Sequence, residues 1–149
     1  FIVVGPDGGD LERIKALVTA TGLTGIVSFM GGLDFEVITQ YAGSASFYLQ
    51  TSSAEGMAIS VVEAMQLGLL PVVTPVGEIG SYCRHNENAL LVQSDEATVD
   101  DIVEVLHDDA RYQILRNNAV ATWTTQPLYA ESVIDACMGI FDNHSDRAI

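Results

Sequence analysis

Residues 52–68 read SSAEGMAISVVEAMQLG. Small residues crowd the first half, and Ile59, Val62, Met65 and Gln66 then carry a helical pattern up to the stop at Gly68, with Ser52 or Ser53 placed to precede it. A helix opening near residue 58 leaves the N–H groups of Ala58, Ile59 and Ser60 free in its first turn, where a phosphate-bearing ligand can accept them. Two acids, Glu55 and Glu63, bracket that mouth. At ~1.5 Å of rise per residue, their spacing spans on the order of 12 Å, too far for a shared proton but suited to two ends of one extended ligand. Ala54, Gly56 and Ala58 are small enough for backbone and ligand to approach closely. Local physics alone reads the pair equally well as a dipole-favoured acid at a helix start and an acid on an exposed face. Glu63 weighs against that plainer reading, because Val61, Val62, Ala64 and Met65 surround it.

Working outward, apolar runs at FIVV (1–4), IVSFM (26–30), SFYLQ (46–50), PVVT (71–74) and ALLV (89–92) predict strands. Their apolar positions are consecutive rather than alternating, which suits parallel strands covered on both faces. Helices are expected between them. Leu11, Ile14, Leu17 and Val18 form an amphipathic stripe ending at Thr21-Gly22, and Asp34 is placed to cap a helix carrying Phe35, Ile38 and Tyr41. Asp95 is placed to cap another with Val99, Ile102, Val103 and Leu106, a further helix runs from about Ala110 to Thr122, and a last one follows Pro127. The alternation predicts an α/β fold with a three-layer parallel sheet, right-handed crossovers and a helical carboxy-terminal tail, in a single domain over residues 1–149.

Composition narrows the partners. Six basic against twenty acidic residues give a formal charge of -14, which repels nucleic acid and anionic lipid. Membrane association is not indicated: no apolar run approaches the roughly 20 residues of a membrane span. Cys83 and Cys137 lie far apart in a chain that is 48% hydrophobic, and reduced thiols in a cytoplasmic protein are expected. His85, His107 and His144 have no ligand-like spacing, so neither a metal nor another cofactor is expected. The chain opens inside a strand at Phe1 rather than with Met, the pattern of a fragment.

The order of these pieces resembles one family. EGMAISVVE matches the glutamate, any seven, glutamate motif of retaining GT-B glycosyltransferases. AMQLGLLPVVTPVGEI and NENALLV are similar to the segments that follow in the carboxy-terminal domain of glycosyltransferase family 4, and FIVVGPDGGDLERIKALVTATGL with IVSFMGGL to those that precede. The resemblance spans almost the whole chain. It implies a Rossmann-like domain that binds the nucleoside diphosphate sugar donor, a UDP- or GDP-sugar, and transfers a hexose to a sugar or lipid-linked acceptor held by an amino-terminal domain. Glu55 would face the donor sugar and support charge at the anomeric centre. Gly56, Met57, Ala58, Ile59 and Ser60 would contact sugar hydroxyls and diphosphate, Glu63 the ribose hydroxyls, and Gly5 and Gly31 are nucleotide-contact candidates.

The chain departs from that family at points that matter. Ala58 and Ala89 stand where glycine is usual, and the first adds a methyl beside the diphosphate. The family's first strand and helix, which bring a Gly-Arg and a Lys to the diphosphate, would precede Phe1, so this chain by itself is expected to be catalytically inert. Arg84 is the nearest basic residue to the motif. In the usual strand order 3-2-1-4-5-6 the missing strand is central, and direct pairing of FIVV with SFYLQ would leave order 2-1-3-4-5, with a crevice between the Gly5–Gly9 loop and the Ser52–Ser60 segment. The rival readings are a flavodoxin-like binding or scaffold domain without catalysis and half of a sugar-nucleotide epimerase.

Overall fold

The computed structural model describes residues 1–124 and 138. The chain divides into two compact units, Phe1–Ser46 and the part from Phe47 onward. The first contains strand β1 (Ile2–Val4), helix α1 (Leu11–Ala20), strand β2 (Ser28–Gly31) and helix α2 (Phe35–Ala42). The second contains β3 (Phe47–Gln50), α3 (Ile59–Gln66), β4 (Leu70–Val73), α4 (Ile79–Tyr82), β5 (Leu90–Leu91), α5 (Asp95–His107) and α6 (Asp109–Thr124). All strand pairing in both units is parallel. The expected alternation is therefore present, with α4 as the helix the sequence reading lacked. The helix expected after Pro127 lies outside the described residues.

The described ladders cover part of the expected strand order. β1 pairs with β2 in one sheet, and β3, β4 and β5 pair in that order in a second; the β1–β3 neighbourhood that order 2-1-3-4-5 calls for is not among the described ladders. Among the described residues neither β1 nor β3 has a ladder partner on its second edge. Every residue of β1 is exposed, against the expectation of a strand covered on both faces. Two strands and two helices enclose little volume, and Ala42 is the one buried residue among positions 1–46.

The second unit holds the core. All four residues of β4 are buried, and side chains alternate across a strand, so its two faces feed two clusters. Leu70 and Val72 pack with Leu90, Val105 of α5 and Leu115 of α6, with Phe47 and Tyr112 at the margin. Val73 packs on the other side with Val61 and Met65 of α3, Ile79 and Cys83 at α4, and Ala119 of α6. Helices on both faces of β3–β5 are thus the layered arrangement that consecutive apolar positions predict.

Helix ends follow local chemistry. α3 closes on a left-handed Gly68 (φ 77°), with Leu69 N–H bonded to Ala64 O and Gly68 N–H to Met65 O, both bonds of a Schellman turn. α1 ends the same way at Gly22. At α5 the cap is Ser94, whose hydroxyl accepts from Ala97 N–H, rather than the expected Asp95, which is the first helical residue. Asp34 precedes α2 in extended conformation without a side-chain capping bond.

Truncating the most enclosed strand gives a direct test of this layout. Leu70→Ala should lower unfolding free energy by about 3 kcal/mol, in the range for buried leucines, whereas Leu106→Ala on the exposed face of α5 should change it by less than about 1 kcal/mol. Urea unfolding followed by circular dichroism reads both.

Candidate functional site

The glutamate stretch begins where β3 ends. Gln50 is the last residue of β3, residues 51–58 form a loop, and α3 opens at Ile59. Glu55 is half-buried in that loop, ahead of the helix rather than in its first turn. Ser52 and Ser53 do not cap the helix; the N-cap is Ala58, with left-handed torsions φ 53° and ψ 64° and no side-chain capping bond. Ile59 and Ser60 are the first two helical residues, so their N–H groups have no carbonyl within the helix to bond. Val61 N–H is already taken by Ala58 O at 2.9 Å.

Gly56, Met57, Ile59 and Ser60 are exposed, and Ala58 is buried. Glu63 lies one turn into α3 on its exposed edge, while Val61, Ala64 and Met65 turn into the core. The apolar neighbours that made Glu63 conspicuous in sequence are thus on other faces of the helix. The loop between β3 and α3 brings the mouth, Glu55 and Glu63 into one unit.

A second loop buttresses the first. Thr74, just past β4, donates its hydroxyl to Ser52 O at 2.5 Å, and Glu78 N–H donates to Gly56 O at 3.0 Å. Between them Gly77 has φ 56°, and a β-carbon there would collide with the carbonyls of Glu55 and Gly56. Tyr82 of α4 donates its hydroxyl to Met57 O at 2.6 Å and meets Trp123 edge-on, with ring centroids 5.2 Å apart. Trp123 in turn directs its indole N–H at Met65 Sδ, 3.3 Å away, which gives this tail residue a packing role.

Side chains inside the loop form a network that sequence reasoning missed. Gln50 donates from Nε2 to Glu55 Oε1 at 2.6 Å and accepts at Oε1 from Tyr48 (2.7 Å) and Ser60 (3.1 Å). One signal was available: Gln50 and Thr74 stand at the carboxyl ends of parallel strands, where ligands of open α/β sheets gather.

The site's electrostatics are one-sided. Burial raises the Tyr48 phenol, the neighbouring Ser60 side chain offsets part of this, and the charges of Glu55 and Glu63 raise it further. Burial pushes Tyr82 up to about 12, with Cys83, Glu55, Tyr48 and Glu78 acting in the same direction. Both phenols stay protonated as donors through the neutral range. Arg84 is exposed and lies 3.7 Å from Glu87. Among the described residues Arg116 of α6 reaches the end of α3, its Nε donating to Gly68 O at 2.8 Å. That is the carboxyl end of the helix, where positive charge suits the dipole, and not its mouth.

In the first unit, Gly5 N–H donates to Gly31 O at 2.8 Å, so the two glycines meet where β1 and β2 end. A cavity of about 420 Å³ opens there, lined by Val4, Gly5, Asp7, Leu11, Phe29 and Gly31 among others. Asp7, in the turn before the N-cap Asp10, accepts from Gly9 N–H and from Leu11 N–H, the first helical residue of α1. Among the described residues no group of three or more His, Cys, Asp or Glu side chains could hold a metal ion. His85 instead accepts from Leu91 N–H at Nδ1, 3.1 Å.

Ala58 and Gly77, both left-handed, give opposite outcomes on substitution. Ala58→Gly removes a strained torsion and should raise unfolding free energy by about 1 kcal/mol, while Gly77→Ala should lower it by about 2 kcal/mol or more, both in urea titrations. Alkali gives a third test. The Cys83 thiol is raised by burial from 9.0 to about 12, and Tyr82 from 10.0 to about 12. The unfolded chain releases these protons first, so stability should be intact below about pH 9 and fall progressively toward pH 12.

Known proteins share this arrangement. HepE of Anabaena, solved in complex with UDP-glucose, is 26% identical and superimposes with a TM-score of 0.70 over 80% of this chain and 34% of its own. Sucrose-phosphate synthase of Thermosynechococcus elongatus is 26% identical with a TM-score of 0.77, covering 99% of this chain and 39% of that one. TarM of S. aureus, at 19% identity and a TM-score of 0.80, shares the fold over 95% of this chain and 28% of its own. The chain therefore spans about a third of the length of such proteins. No curated protein sequence gives a significant match. Among the described residues no helix is long and apolar enough to cross a membrane. Residues 1–122 match the family described as glycosyl transferases group 1, and with parallel sheets and helices of the GT-B carboxy-terminal type the chain belongs to that family.

Proposed function

We propose that residues 1–149 are a single nucleotide-sugar-binding domain, the donor-binding half of a retaining, family 4 glycosyltransferase that transfers a hexose from a UDP- or GDP-sugar. One observation carries this reading: a left-handed turn at Ala58 opens α3 toward solvent, with Glu55 ahead of the mouth and Glu63 one turn inside it. N–H groups at a helix start suit phosphate oxygens, and carboxylates on either side suit hydroxyl protons. Glu55 is the catalytic residue, orienting the donor sugar and supporting positive charge at its anomeric centre. The backbone of Gly56, Met57, Ala58, Ile59 and Ser60 contacts sugar and diphosphate, Glu63 takes the ribose hydroxyls, and Gly5 and Gly31 contact the nucleotide. The UDP-glucose bound to HepE supports a donor of this class.

The acceptor is a sugar or a lipid-linked sugar. A cytoplasmic location accords with the free, buried thiol of Cys83. A second reading, a binding or scaffold domain without catalysis, is favoured by one feature: among the described cations of the second unit, Arg116 serves the far end of α3, Arg84 lies against Glu87 and Arg111 pairs with Glu104, each away from the mouth.

Calorimetric titration with UDP, GDP and their hexose conjugates separates the two. Binding is expected for one nucleotide series, with Glu63→Ala weakening the bare nucleotide about tenfold or more, the size of a lost hydrogen bond to a charged group. No heat at millimolar ligand would sink the donor site, and an unchanged affinity in Glu63→Ala would sink the ribose role.

A further inference from the structure

The Gln50 amide touches β3, the loop and the first turn of α3 together. Its Nε2 donates to Glu55 Oε1 at 2.6 Å and to Ser52 Oγ at 3.3 Å; its Oε1 accepts from Tyr48 and from Ser60. A carboxylate only accepts, so Glu55 forces the amide nitrogen to its side and the oxygen toward the two hydroxyls. Glu55's backbone is pinned independently, because Gly77 lies against its carbonyl and Glu78 N–H holds Gly56 O. With the backbone fixed, the remaining freedom is the carboxylate's rotation, and the 2.6 Å bond removes it.

We propose that Gln50 is a positioning residue that makes this site discriminate a nucleotide sugar from the bare nucleotide; the proposal rests on the donor-site reading above. The amide occupies one oxygen of Glu55 and leaves the other to accept a sugar hydroxyl in a fixed direction. It also holds the Ser60 proton, so Ser60 presents lone pairs outward. An oxygen without a free proton does not donate to phosphate, which leaves the diphosphate to the N–H groups of the α3 mouth. Sugar recognition therefore depends on Gln50 and nucleotide recognition does not.

Two substitutions in the full chain test this, with UDP-glucose and UDP as calorimetric probes. Gln50→Met keeps the length and apolar stem but loses the clamp; affinity for UDP-glucose should fall about tenfold at pH 8 and pH 5 alike, with UDP not weakened. Gln50→Glu sets two carboxylates against each other at pH 8 and should show the same loss. At pH 5 a proton shared between them replaces the amide donor, and affinity for UDP-glucose should return to within about threefold of the wild type at that pH. That recovery is a signature a merely structural role would not produce, and it remains readable if Gln50→Met fails to fold. Equal weakening of both ligands, an unchanged Gln50→Met, or no recovery of Gln50→Glu at pH 5 overturns the proposal. A wild-type chain that binds neither these probes nor GDP and its hexose conjugates overturns the donor-site reading and this one with it, whereas wild-type binding with silent variants overturns this one alone.

Discussion

Parallel pairing of β3 with β4 is the constraint on which the second unit depends. Phe47 to Gln50 align in register with Leu70 to Val73, so the loops that leave both strands emerge at the same edge. Antiparallel pairing would send them to opposite ends. Because they emerge together, Thr74 can bond Ser52, Gly77 can lie on Glu55, and the stretch before α3 becomes a shaped surface instead of a free loop. β4 supplies the rigidity: with both faces buried, it cannot shift register without exposing Leu70 and Val72 or Val73.

Left-handed backbone does much of the shaping. Gly68 ends α3 and Gly77 fits against the motif loop, each at a torsion glycine adopts freely. Ala58 adopts the same region with a β-carbon, at the point where the chain turns into the helix. That conformation costs about 1–2 kcal/mol in an ordinary residue, so neighbours must hold it. The Tyr82 hydroxyl on Met57 O, Val61 N–H on Ala58 O and burial of the Ala58 methyl among Val61, Met65 and Ile79 are the described contacts that do so. Strain held by surrounding structure at a helix mouth is the kind of feature that accompanies binding surfaces.

Much of this was legible along the chain. Glu55, the small residues after it and Glu63 identify the mouth and its acids, because a helix start and a 3.6-residue period are local properties. The strands and all but one of the helices before residue 125 follow from apolar runs and turn residues, while the four-residue α4 is too short for any period to betray. What stayed hidden was what each end of a strand meets. Gln50 reads as one polar residue closing an apolar run, and only the fold turns it back onto Glu55, Tyr48 and Ser60. Arg116 is separated from Gly68 by 48 positions, and no pattern ties it to the end of α3.

The sequence by itself determined the parallel α/β class, the glycosyltransferase likeness at the level of group 1, and the acids that bracket a helix start, since each depends on order and spacing along the chain. Tertiary structure alone decided that five strands pair as two sheets, that Glu63 stands on the wet edge of its helix, and that Glu55 is held by an amide from the preceding strand. The physical reason is the same throughout. Periodicity reports the environment of a residue relative to its own element, whereas ladder partners and side-chain clamps depend on which elements meet in space.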